Sequence, residues 1–201
     1  MGSHVSHPVS SLRTPNHLVQ LFDAPRSLAD AVSRFLLEGW ERGDDLLLIV
    51  KPKHWQLIAE YLERRGWPAH TPEAAARLHM YDAAATLRRT RKRGAFSPDA
   101  AREVFAAIAG GLSACAPRVR AYGELVELLA EEGDFEAACA VEDMWNDLLA
   151  THEVDMLCGY SAAHFADPRH ANALRRICAR HTHVQTQSAD SLGTWLSNSL
   201  G

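Results

Sequence analysis

Tyr122, Gly123 and Glu124 follow Val119, Arg120 and Ala121, and they put a carboxylate at the step where a strand gives way to a helix. Gly123 relaxes the backbone there. Glu124 could then act as a general acid or base, as a metal ligand, or as a hydrogen-bond acceptor for a bound molecule. The competing use of the same carboxylate is a first-turn charge stabilised by the helix dipole, worth roughly 0.3–1 kcal/mol. Ligands of open α/β sheets bind beyond the carboxyl ends of the strands. The same rim therefore takes in Phe22, Asp23, Arg26, Lys51, His54, Asp82 and the Tyr160–Ser161 pair. Tyr122 and Tyr160 would give amphipathic walls to a mostly apolar pocket, or would fill the core with satisfied hydroxyls.

Other chemistries lack their residues. The turn after the first strand reads Phe22, Asp23, Ala24, Pro25, Arg26, Ser27, with neither the glycines that let backbone N–H groups cradle a phosphate nor the accompanying lysine. There is no GxSxG elbow for a serine nucleophile. The four cysteines, Cys115, Cys139, Cys158 and Cys178, form no CxxC pair and are expected as reduced, buried apolar groups. Among eleven histidines, His181 and His183 make an HxH pair after the last helix, expected as packed or capping groups. His17 opens the first strand at the end remote from the ligand edge and is expected to be structural. No metal site is expected. The basic run Arg88 to Arg93, broken only by Thr90, is expected to end a helix.

The elements that must position these groups alternate short apolar runs with helical stripes, as in a mostly parallel sheet covered on both faces. The pattern predicts five strands, or slightly more: Leu18 to Phe22, Asp45 to Val50, Leu78 to Tyr81, Val119 to Tyr122 and Val154 to Tyr160. Helices fill the intervals. The first is capped at Ser27 and ends near Gly43; the second starts after Pro52 and stops at Gly66; the third runs from Ala83 to Arg93; the fourth opens at Ser97. Two helices, Glu124 to Glu132 and one capped by Asp134, separate the last two strands, and a final helix spans Pro168 to His181.

A chain of 201 residues with 47% hydrophobic content supports one α/β domain. A formal charge of −4 gives no overall attraction to nucleic acid or anionic lipid. No signal peptide or membrane-length apolar run is visible, so a cytoplasmic protein is expected. Residues 1–16 are read as a flexible arm, 17–184 as the α/β domain, and 185–201 as a polar tail or docking segment.

Taken in order, the segments His17 to Phe22, Phe35 to Val50, Tyr81 to Ala83, Arg120 to Glu131, Glu142 to Leu148, Leu157 to Tyr160 and Ile177 to Val184 resemble the MEDS domain, the methanogen/methylotroph sensory domain of the dichloromethane-responsive repressor. The resemblance implies a degenerate relative of the RecA and KaiC cores without the Walker A loop, a three-layer sandwich with Glu124 near the Walker B position. It also implies a non-catalytic signal-input role, with a small-molecule ligand of apolar character. Such domains are often joined to histidine kinase or DNA-binding modules, so the expected partner is a kinase or a transcription regulator, with self-association as a homodimer also open. The expected ligand site comprises Phe22, Arg26, Asp82, Tyr122, Glu124 and Tyr160, without a cofactor. Two other readings stay open at this stage. One is a ligand-free interaction protein; the other is a residual nucleotide-binding or ATPase protein using Arg26 and Lys51.

Overall fold

A computed structural model of the chain describes residues 16–112 and 118–186. Its strands are β1 (His17–Phe22), β2 (Asp45–Val50), β3 (Leu78–Asp82), β4 (Arg91–Lys92), β5 (Ala95–Phe96), β6 (Val119–Gly123), β7 (Val154–Ser161) and β8 (His183–Gln185). Six of them form one sheet in the order β3-β2-β6-β7-β1-β8, every neighbouring pair parallel, while β4 and β5 make a separate antiparallel hairpin. Buried on both faces, the inner strands must be apolar throughout, which is why Leu46 to Val50 shows no alternation.

Helices α1 (Pro25–Arg42), α2 (Pro52–Arg64) and α3 (Pro72–Arg77) cover one face, enclosing Leu28, Leu36, Ile58, Leu62 and Tyr122. Helices α4 (Ala83–Arg89), α5 (Pro98–Ala109), α6 (Leu125–Glu131), α7 (Phe135–Leu149) and α8 (Ala171–Cys178) cover the other, around Phe105, Leu129, Trp145, Met156 and Tyr160. The three-layer α/β architecture read from the sequence is the one observed. Parallel crossovers are right-handed, so chains that cross the sheet in opposite directions must pass over opposite faces. β2 therefore leaves through α2 on one side and β6 through α6 on the other, which puts the switch point of the topology between their carboxyl ends.

All five expected strands are present, and several local expectations need correction. Ser27 is not a helix cap: α1 starts at Pro25 behind Ala24, and Ser27 Oγ donates to the Ala24 carbonyl. The third interval helix stops at Arg89 instead of Arg93, because Arg93 (φ 55°) and Gly94 (φ 84°) turn the chain into the β4–β5 hairpin. A further short helix that was not expected, α3, precedes β3. The final helix is broken: Pro168–His170 is a 3-10 turn, α8 ends at Cys178, and Ala162–Phe165 forms a further 3-10 turn. Residues 183–185, which straddle the expected boundary between domain and tail, join the sheet as the edge strand β8. Cys115, most of the expected arm and most of the expected tail lie outside the described residues.

Candidate functional site

Glu124 follows Gly123 directly, and its backbone N–H donates to the Ile49 carbonyl at 2.9 Å, extending the β2–β6 ladder by one residue. Its carboxylate is buried and fully engaged. Oε2 accepts the backbone N–H of Lys51 at 2.6 Å, and Oε1 accepts the Tyr122 hydroxyl at 2.6 Å and faces His54 Nδ1 at 2.6 Å. Burial, followed by the Glu124 charge, pushes the Tyr122 phenol well above its ordinary pKa, so it stays protonated and donates. Gly159 of β7 makes this possible: a Cβ there would lie 3.0 Å from the Tyr122 hydroxyl. With His54 Nδ1 engaged by Glu124, Nε2 is the ring's remaining polar atom. The Phe22 ring meets His54 edge-on, with centroids 6.0 Å apart.

A second carboxylate lies one helical turn further along α6. Glu127 Oε2 accepts the Ser161 backbone N–H at 2.8 Å, and Oε1 lies 3.1 Å from His164 Nε2 and 3.7 Å from Lys51 Nζ. Lys51 Nζ also bonds Glu131 at 2.9 Å. Burial works against the Lys51 ammonium, but the Glu131 hydrogen bond and the charges of Glu127 and Glu124 more than offset it and raise its pKa. The hydrogen bond with Glu127 likewise raises the pKa of His164. Glu127, Glu131 and His164 have the donor types for a cation, yet Lys51 already supplies positive charge among them. The result is a cluster of alternating charge whose inner carboxylates are buried and whose outer groups, Lys51 and His54, remain 20% and 12% exposed.

Of the six residues expected at the site, the structure gathers Phe22, Tyr122 and Glu124 around His54 at the carboxyl edge. Arg26 is exposed and lines an open groove with Gln20, Asp30, Arg34 and Tyr61. Asp82 is exposed and caps α4, accepting the Ala85 N–H at 2.6 Å. Tyr160 lies on the opposite face of the sheet, its hydroxyl donating to Glu142 at 2.8 Å. Register explains the separation of the tyrosines. Tyr122 stands beside Leu157, and Tyr160, three residues beyond Leu157, points the other way.

Lys51 and His54 were visible on the rim but were not placed in the expected site; Glu127, Glu131 and His164 were missed. One signal was available: Glu124, Glu127 and Glu131 fall at i, i+3 and i+7, a single helix face.

The family model described as MEDS, "MEthanogen/methylotroph, DcmR Sensory domain", matches residues 16–182. The chain belongs to the MEDS family. This is a family of sensory domains, which fits a signal-sensing role, and the carboxyl edge of the MEDS sheet carries the Glu124 cluster. No curated protein and no solved structure matches the chain.

Proposed function

We propose that this MEDS domain is a non-catalytic sensor that binds a small molecule at the carboxyl edge between β2 and β6 and regulates a partner protein, such as a histidine kinase or a transcription regulator. The observation that carries the reading is the convergence of Lys51, His54 and Tyr122 on the Glu124 carboxylate at the switch point of the sheet. Lys51 Nζ offers a donor and His54 Nε2 a second polar contact, with the Phe22 ring beside His54. Three carboxylates, Glu124, Glu127 and Glu131, balance the cations, so the site has no excess positive charge for a phosphate. A small neutral molecule with one polar group and an apolar body fits better.

The ligand would act by its difference in affinity between two arrangements of α2, which carries His54, and α6, which carries Glu127. The exposed Arg88, Arg89, Lys92 and Arg93 supply a basic surface for an acidic partner. Kinship with the RecA and KaiC cores belongs to the same reading, supported by the parallel sheet and the glycine-free turn after β1. A cytoplasmic setting belongs to it too: Cys139, Cys158 and Cys178 are unpaired, and no helix among the described residues is long and apolar enough to cross a membrane.

The test is calorimetric titration with small alcohols, aldehydes and halogenated one- and two-carbon compounds, and with magnesium ATP. Wild type is compared with Glu124→Gln and His54→Gln. At least about tenfold weaker binding in both variants, equivalent to ~1.4 kcal/mol, is expected; equal affinity in all three proteins would remove the carboxyl edge as the site. A second reading rests on an apolar cavity at the other end of the sheet, between Leu47, Phe105, Ile108, Val119, Trp145 and Met156. Binding lost in Ala109→Leu, which fills that cavity, but kept in Glu124→Gln would select it.

A further inference from the structure

On the face of the sheet opposite Tyr122, four side chains from four segments meet away from solvent. His17 opens β1 and Cys158 lies within β7, and the register that sets Val19 beside Cys158 turns both toward α7. Glu142 sits inside the apolar stripe of α7 with Ala138, Val141 and Trp145. His181 follows α8. Glu142 and Cys158 are fully buried, the His181 side chain is fully buried, and His17 is 1% exposed.

The orientation of the two imidazoles is decisive. Asn146 Nδ2 donates to the Arg180 carbonyl, which fixes Oδ1 as the acceptor for His17 Nδ1–H at 2.9 Å. His181 Nδ1–H donates to the Ile177 carbonyl at 2.7 Å. Each ring thus engages Nδ1 outward and turns Nε2 inward, the outer-sphere arrangement that prepares histidine for a metal. Inward of both lies an anion: Glu142 Oε2 is 3.1 Å from His17 Nε2 and 3.4 Å from His181 Nε2. Two Nε2 atoms gathered around a buried carboxylate call for a cation among the three, either a proton carried by an imidazole or a metal ion. His181 Nε2 makes no contact shorter than its 3.4 Å approach to Glu142 among its polar neighbours.

We propose that His17, Glu142, Cys158 and His181 form a binding site for one zinc-class divalent transition-metal ion. Four of the six edges of the cluster are 3.1 and 3.4 Å from the carboxylate to the two imidazoles, 3.3 Å from carboxylate to sulfur and 3.5 Å from sulfur to His17, and all four ligand atoms lie within 4.8 Å of one another. A tetrahedron with metal–nitrogen, –oxygen and –sulfur bonds of ordinary length has edges of about 3.3–3.6 Å. The donor set suits a borderline ion, and one carboxylate with one thiolate neutralises a 2+ charge. Burial and the Glu142 charge keep the Cys158 thiol protonated without an ion. Binding therefore replaces S–H by S–metal and releases that proton to solvent, the sulfur supplying the electron pair. Tyr160, donating to Glu142 Oε1, orients the carboxylate from outside the coordination sphere.

Four protein ligands leave no open position, so the ion acts on stability: it would tie β1, β7, α7 and the α8–β8 junction together. Thr182 already closes the same junction, donating its N–H to the His17 carbonyl and accepting the His17 N–H on Oγ1. The sequence reading expected no metal, with His17 and His181 as packing groups; His183, the other member of the HxH pair, is exposed on β8 and is not part of the cluster.

The test uses the full chain and cobalt(II) as a spectroscopic probe, with metal content measured by mass spectrometry. One equivalent is expected, with a thiolate-to-cobalt charge-transfer band that Cys158→Ser abolishes, together with a higher melting temperature in zinc than in chelator. Tyr160→Phe should keep the ion. His4→Ala/His7→Ala, which removes histidines near the amino terminus, should keep it as well. His181→Gln, checked for folding by circular dichroism, should lose it. A folded wild type that takes up no stoichiometric metal overturns the proposal and leaves a shared proton in the gap. Retention of an unchanged charge-transfer band in Cys158→Ser, or loss of the ion in the His4/His7 variant alone, overturns it equally.

Discussion

His164 gives the carboxyl-edge cluster a dependence on pH. The groups facing it are Glu127 at 3.1 Å, then Glu131 and Lys51, and the Glu127 hydrogen bond holds its pKa above the ordinary value. A folded pKa above the unfolded value of about 6.5 means that the protonated ring contributes its full stability below that pH. The contribution is lost as pH rises through the folded value. The melting-temperature difference between wild type and His164→Gln should therefore be largest near about pH 6 and shrink by about pH 8.5. A difference that widened with pH would show a neutral ring against Glu127. At this scale the sequence was informative where chemistry was local. Glu124 after Tyr122 and Gly123 is a contiguous signal, and the structure joins the tyrosine and the carboxylate at 2.6 Å. Glu142 was harder to see, because a carboxylate inside an apolar stripe has meaning only once its partners, 125 residues away in the case of His17 by difference of position, are in contact.

Gly39 shows the same limit for elements. In sequence it is one position on the apolar face of a helix, where alanine would be favoured by about 1 kcal/mol. In the fold, a Cβ there would run into Cβ and Cγ of Arg120 on β6. That arginine is 4% exposed, its guanidinium lies 4.6 Å over the Phe35 ring, and its charge faces Asp44 and Asp155, each at 3.7 Å. Its stem cannot swing away without breaking those contacts. Gly39→Ala is expected to destabilise the protein by about 1–3 kcal/mol in urea unfolding; a gain in stability would mean that the sheet yields. The end of α4 is a comparable case. A basic run reads well as a helix terminus, yet the chain turns at Arg93 and Gly94 into a hairpin, with Arg91 paired to Glu132. Positive φ at two successive residues is a demand of strand pairing, and only the partner strand imposes it.

For the molecule as a whole, β8 decides whether β1 is an edge. His183–Gln185 pairs with Leu18–Gln20 and covers the outer side of β1, leaving only a short strand exposed to solvent. A chain ending after Thr182 keeps His181 but uncovers β1. It should melt at lower temperature and self-associate by light scattering, whereas a chain ending after Thr186 should stay closer to the full protein. Equal behaviour of the two truncations would show that β8 adds nothing to the sheet.

By itself the sequence determined the number and order of the five long strands, the two-sided burial of the sheet, the family and the carboxylate at the end of β6. These follow from periodicity, turn residues and contiguous motifs, all of which act over a few residues. Only the tertiary structure decided which face each side chain takes and which distant groups meet. Strand register assigned Tyr122 to the Glu124 cluster and Tyr160 to Glu142, and it drew His17, Cys158 and His181 around one buried carboxylate. Side chains alternate across a sheet, so a register set by long-range pairing fixes every such assignment at once, and no local pattern contains it.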